Sequence, residues 1–115
     1  MKSCLVSIAS LNGDPTTYVA VPRTCKLADA VSAITTAVTT NAVTVTLSDG
    51  TTDIGTLTVA VGSAGGVDGI TFDTTSYGDV ELDRTTPLKI VCSGTPGAGA
   101  INLSLDFDIY GATKT

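Results

Sequence analysis

The sequence predicts an all-β fold: a single antiparallel β-sandwich, jelly-roll-like, with seven to eight strands. Three observations carry that expectation. About one residue in five is threonine, and the threonines alternate with aliphatics in Val43-Thr44-Val45-Thr46-Leu47 and Thr56-Leu57-Thr58-Val59. Successive side chains of a strand face opposite sides of a sheet and β-branched residues fit its pleat, so this alternation is a strand signature. Such runs recur at roughly 8–12-residue spacing with turn signals between them, as in sandwiches and barrels. Lastly, 115 residues with 43% hydrophobic content make one core, but two Phe, three Tyr and no Trp oblige it to be built from Val, Ile, Leu and Ala.

Along the chain, residues 1–17 read as an N-terminal arm or extension, and 18–115 as the sandwich domain. The arm carries a strong turn signal, Asn12-Gly13-Asp14-Pro15. Tyr18 to Val21 is a short strand closed by Pro22. Residues 26–36 carry two periodicities. Leu27, Ala30, Val31, Ile34 and Val38 fall at helical spacing, yet the same stretch suits a strand with Ala30, Ser32 and Ile34 on one face. The threonine-rich continuation is poor in helix formers and favours the strand.

Further strands are expected at Ala42–Leu47, at Gly55–Val61 with Leu57, Val59 and Val61 inward, and at Val67–Phe72. Val80 and Leu82 mark a short one, and Leu88–Cys92 follows Pro87, a position that proline tolerates. The last strand is the clearest, with Ile101, Leu103, Leu105, Phe107 and Ile109 inward and Asn102, Ser104, Asp106 and Asp108 outward. The glycine-rich stretches 62–66 and 94–99 read as hairpin connections. Neither leads into a helix or has the lysine and spacing of a phosphate-binding loop.

Composition excludes most chemistry. With no histidine, a Ser-His-Asp or Cys-His arrangement cannot form, and His-based zinc sites are ruled out. The cysteines, Cys4, Cys25 and Cys92, are too widely spaced for a zinc motif. Cys92, in phase with Leu88 and Ile90, reads as a buried apolar residue. Cys4 and Cys25 flank a possible hairpin and are candidates for pairing only in an oxidising compartment. Carboxylate pairs are formally present in Asp106 with Asp108 and Glu81 with Asp83, and a calcium site is conceivable from Asp73, Asp79 and Asp83. Outward acids are ordinarily a solvated face, so no catalytic, metal or cofactor residues are assigned.

Net charge is −5 and the six basic residues are scattered, which disfavours nucleic acid. The first ten residues are too short in apolar length and too broken by serine for an export signal, and no stretch reaches the eighteen or so apolar residues of a membrane span. A soluble protein made in the cytoplasm is the expectation. Val91, apolar on an outer face, marks a possible contact with another subunit.

One resemblance covers about residues 18–110. It runs from Lys26-Leu27-Ala28-Asp29-Ala30-Val31-Ser32-Ala33 through Ile54-Gly55-Thr56-Leu57-Thr58-Val59 and a small-residue loop to Val67-Asp68. It continues through Val80-Glu81-Leu82-Asp83 and Pro87-Leu88-Lys89-Ile90 to a glycine loop and the terminal strand. This pattern resembles small β-sandwich virion proteins of tailed bacteriophages, of the capsid decoration or cement type. The resemblance implies a non-enzymatic protein of the capsid exterior, made in the host cytoplasm. Its expected partners are the major capsid protein and its own copies, as a trimer or dimer, without nucleic acid or membrane. No contact residues transfer with it. A head- or tail-fibre module that binds a host receptor shares the pattern, and the scarcity of aromatics weighs against glycan recognition or a carbohydrate-active enzyme.

Overall fold

A computed structural model describes residues 2–21, 24–72 and 81–109. Nine strands follow in order: β1 Lys2–Ile8, β2 Thr16–Val19, β3 Cys25–Thr36, β4 Val43–Ser48, β5 Asp53–Val59, β6 Val67–Gly69, β7 Thr71–Phe72, β8 Leu88–Ser93 and β9 Ala100–Ile109. They form two antiparallel sheets, β1-β9-β3-β6 and β2-β8-β4-β5-β7, packed face to face as a β-sandwich. No helix occurs among the described residues.

The core is what the alternation foretold. Val43, Val45 and Leu47 of β4, Leu57 and Val59 of β5, and Leu88, Ile90 and Cys92 of β8 point in from the second sheet. Ile101, Leu103, Leu105 and Phe107 of β9 meet them from the first. Full burial of one such aliphatic side chain is worth about 1.5–3 kcal/mol, so β9, central to its sheet, is a principal anchor.

The segment with helix-like spacing is the longest strand, and the structure explains why it carried that signal. The β3–β9 ladder shifts register between Leu27 and Asp29 and again between Ile34 and Thr36. Cys25 and Leu27 are buried, then Ala30, Ser32 and Ile34, then Val38. Across the first irregularity the inward step is three, from Leu27 to Ala30, and across the second the next buried residue after Ile34 is Val38, four on, so bulges in a strand of period two imitate helical steps of three and four. Buried Ser32 donates from Oγ to the carbonyl of Asp68 at 3.4 Å.

Several expectations need correction. Residues 2–8 do not extend away as an arm: β1 pairs with β9 from Lys2↔Phe107 to Ile8↔Ile101, and Leu11 is fully buried. The stretch 67–72 is not one strand. The chain leaves the first sheet after β6 and joins the second at β7, with Ile70 at the switch. Val61, expected inward, lies past the end of β5 and is half exposed. Finally, 62–66 and 94–99 are not hairpin connections, since each carries the chain from one sheet to the other. Val80 lies outside the described residues, and Leu82 makes an isolated bridge to Cys25 rather than a strand.

Candidate interaction surface

Register decides which connections share an end of the sandwich. Ile8 and Ile34 both stand beside Ile101 in the first sheet, while Ser93 and Thr58 both stand beside Thr44 in the second. The connections 9–15, 37–42, 60–66 and 94–99 therefore all leave from one end, and each passes between the sheets. They are laced together by their backbones. Val38 and Gly62 exchange N–H···O bonds of 2.9 and 3.0 Å. Thr40 N donates to Pro96 O at 2.8 Å, Leu11 N to Gly99 O at 2.9 Å, and Gly65 N to Ile34 O at 2.8 Å. Asn41 adds Nδ2 bonds to the carbonyl and hydroxyl of Thr95 at 2.9 and 2.8 Å.

Glycine is required where two of these connections cross. Gly97 has φ +77°, and a Cβ there would sit 2.6 Å from Thr40 Oγ1. At Gly99, with φ +146°, a Cβ would meet Val38 Cγ2 at 2.9 Å. The close approach that sets the loops against each other needs residues without a side chain.

Electrostatically this end is distinctive. Its four connections hold one charged side chain, Asp14, whose Oδ1 accepts from Gly94 N at 3.3 Å. Asp68 is the nearest other charge, with Oδ2 3.4 Å from Ala60 N. The remaining charged side chains of known placement lie toward the opposite end: Lys26, Asp29, Asp106 and Asp108 on the first sheet, and Asp49, Asp53 and Lys89 on or beside the second. Glu81, Asp83 and Arg84 adjoin the Cys25–Leu82 bridge there. An end whose connections are hydrogen-bonded to one another and hold a single charged side chain suits a protein contact. Interface centres are depleted in charge, and loops already ordered cost less to bind.

The candidate chemical groups do not converge. Asp83 Oδ1 accepts from the backbone N and the hydroxyl of Thr85, both at 2.8 Å, and these bonds hold its carboxyl below the usual range. Asp73 and Asp79 lie outside the described residues. Among the described residues no group of three or more acids and thiols is placed to hold a metal ion. Asp106 stands directly across from Asp29, and Asp108 across from Lys26, as exterior cross-strand neighbours. A shallow depression of about 210 Å³ beside β5 and β7, lined by Asp53, Gly55, Thr56, Thr71 and Phe72, is smaller than ligand pockets of about 300–1,000 Å³. No described helix is long and apolar enough to cross a membrane.

The three cysteines are free. Cys4 on β1 is level with Leu105 and Cys25 on β3 with Ile109, on opposite sides of β9. Two strand spacings and four residues separate them by roughly 16 Å, too far for a disulfide. Cys92 is fully buried, and desolvation, helped by Asp14, pushes its thiol up from 9.0 to about 11. A thiol held protonated in the fold contributes stability below pH 9 that is lost as pH rises through 11. Thermal melts should therefore fall steeply between pH 9 and 11, by an amount on the order of 2 kcal/mol in stability, and Cys92→Ala should flatten the fall. An unchanged slope in that variant would assign the alkaline loss elsewhere.

Comparison with protein-family models, with curated proteins and with solved structures gives no match for this chain. Sequence reasoning missed the uncharged end as a surface. Its signal lay in four stretches free of Lys, Arg and Glu and nearly free of Asp, but only the topology brings them together.

Proposed function

We propose that this chain is a non-enzymatic structural protein of a bacteriophage virion, a capsid decoration or cement protein that binds the major capsid protein on the head exterior. The observation that carries the reading is the segregation of charge along the strands. The laced end, with Asp14 as its single charged side chain, is suited to lie against the shell, and the acidic end to face solvent, where net negative charge keeps decorated particles apart. Binding to the assembled shell in preference to free subunits stabilises it by mass action.

Two further features support the reading. The order β1-β9-β3-β6 over β2-β8-β4-β5-β7, with the chain crossing between sheets at every connection of the sparsely charged end, supports a jelly-roll-like reading of the sandwich. The sequence pattern resembles phage decoration proteins. Quantitative mass measurement of purified heads tests the proposal: the polypeptide should be present in the hundreds per head. Its absence would overturn the reading, and a handful of copies would make it a fibre component.

A further inference from the structure

The outer face of the five-stranded sheet is organised in level rows. Thr16, Val91, Thr46, Thr56 and Thr71 stand side by side across β2, β8, β4, β5 and β7. Toward the sparsely charged end lies the row Ser93, Thr44, Thr58, and toward the charged end, past a register shift before Ser48, the row Tyr18, Lys89, Ser48, Asp53, of which Ser48 is buried. Among the described residues, Lys89 and Asp53 are the charged side chains of this face, and they flank the central strand β4 in the same row. Tyr18 is 61% exposed, and Val91 sits among the hydroxyls as an apolar outward residue.

We propose that this face takes a second copy of the same chain around a two-fold axis parallel to β4. Such an axis keeps each row level with itself and exchanges β8 with β5. Lys89 of each copy then faces Asp53 of its partner, giving two charge pairs of opposite sign, while Val91 faces the partner's Thr56 and Thr46 meets its own counterpart. An axis running across the strands would instead set Lys89 against the uncharged row, leaving no complementarity. The along-strand axis is also that of aligned sheet packing. It points the uncharged ends of both copies the same way, as docking side by side on one shell requires. Five strands at about 4.8 Å spacing make a face only about 20 Å wide, so the contact belongs with weak interfaces that adjacency on a surface strengthens.

The inference concerns the chain in solution and stands apart from shell binding. Sedimentation of the full chain from about 1 μM to about 1 mM should show a reversible monomer–dimer equilibrium. Lys89→Glu or Asp53→Lys alone should weaken it at least about tenfold, because each sets like charges together, and the two combined should recover most of the loss. Melting curves confirm that each variant is folded. A chain monomeric throughout, single variants that dimerise like the parent, or a double variant that stays weak would each overturn the proposal. A dimer that behaves as described but fails to bind heads would sink the decoration reading and leave this one standing.

Discussion

Leu105→Asp leaves the chain unable to fold. Leu105 is fully buried at the centre of β9, which is flanked by β1 and β3 and faces the second sheet. The substitution forfeits about 1.5–3 kcal/mol of burial and adds the larger cost of a carboxyl group sealed from water with no cationic partner. Together these rival the whole stability of a small domain, about 5–15 kcal/mol. Circular dichroism should show no cooperative melt and near-random backbone signal. Asp106→Ala, one residue along on the outer face, should retain the parent melt to within about 1 kcal/mol, since outer-face substitutions are mild and Asp106 stands opposite another acid, Asp29. Equal tolerance of both changes would mean that the phase of β9 is wrong.

Val61→Glu with Ala64→Glu abolishes attachment to heads while leaving the fold intact. Both side chains are exposed in the connection 60–66, so two carboxylates there meet solvent in the free protein and cost little. Against a shell they must be desolvated at the centre of a contact nearly free of charge, and the loss should exceed about a hundredfold in affinity. Co-sedimentation with heads reads the effect, and Asp49→Asn in the turn at the opposite end serves as the matched control. Full binding by the Val61 and Ala64 double variant would remove the uncharged end from the contact.

The strands with unbroken two-residue alternation were legible from the chain alone. In β4, β8 and β9 the alternation fixed both existence and phase, because period two is all that the sheet demands of them. Three features were not legible, for separate physical reasons. Val6 and Ile8 do alternate with Ser7 and Ala9, but Leu5 breaks the pattern as an exposed apolar residue, and what makes β1 a strand is pairing with residues 101–107, far along the chain. The step at Ile70 divides an apparently continuous strand because the two sheet edges lie close there, a fact of packing rather than propensity. In β3 the bulges disguised the period.

The candidate surface was hidden in the same way as β1. Stretches such as Ala37-Val38-Thr39-Thr40-Asn41-Ala42 and Gly94-Thr95-Pro96-Gly97-Ala98-Gly99 look like plain flexible loops when read one at a time. Their meaning comes from the crossovers that gather them at one end and from the hydrogen bonds that stiffen them there.

Hydrogen exchange on the chain free and bound to heads tests the docking end most directly. Amides in 60–66 and 94–99 should exchange more slowly on the head, while those of the turn 49–52 should be unchanged. Protection of the 49–52 turn, with the four connections of the sparsely charged end left as fast as in the free chain, would contradict the account.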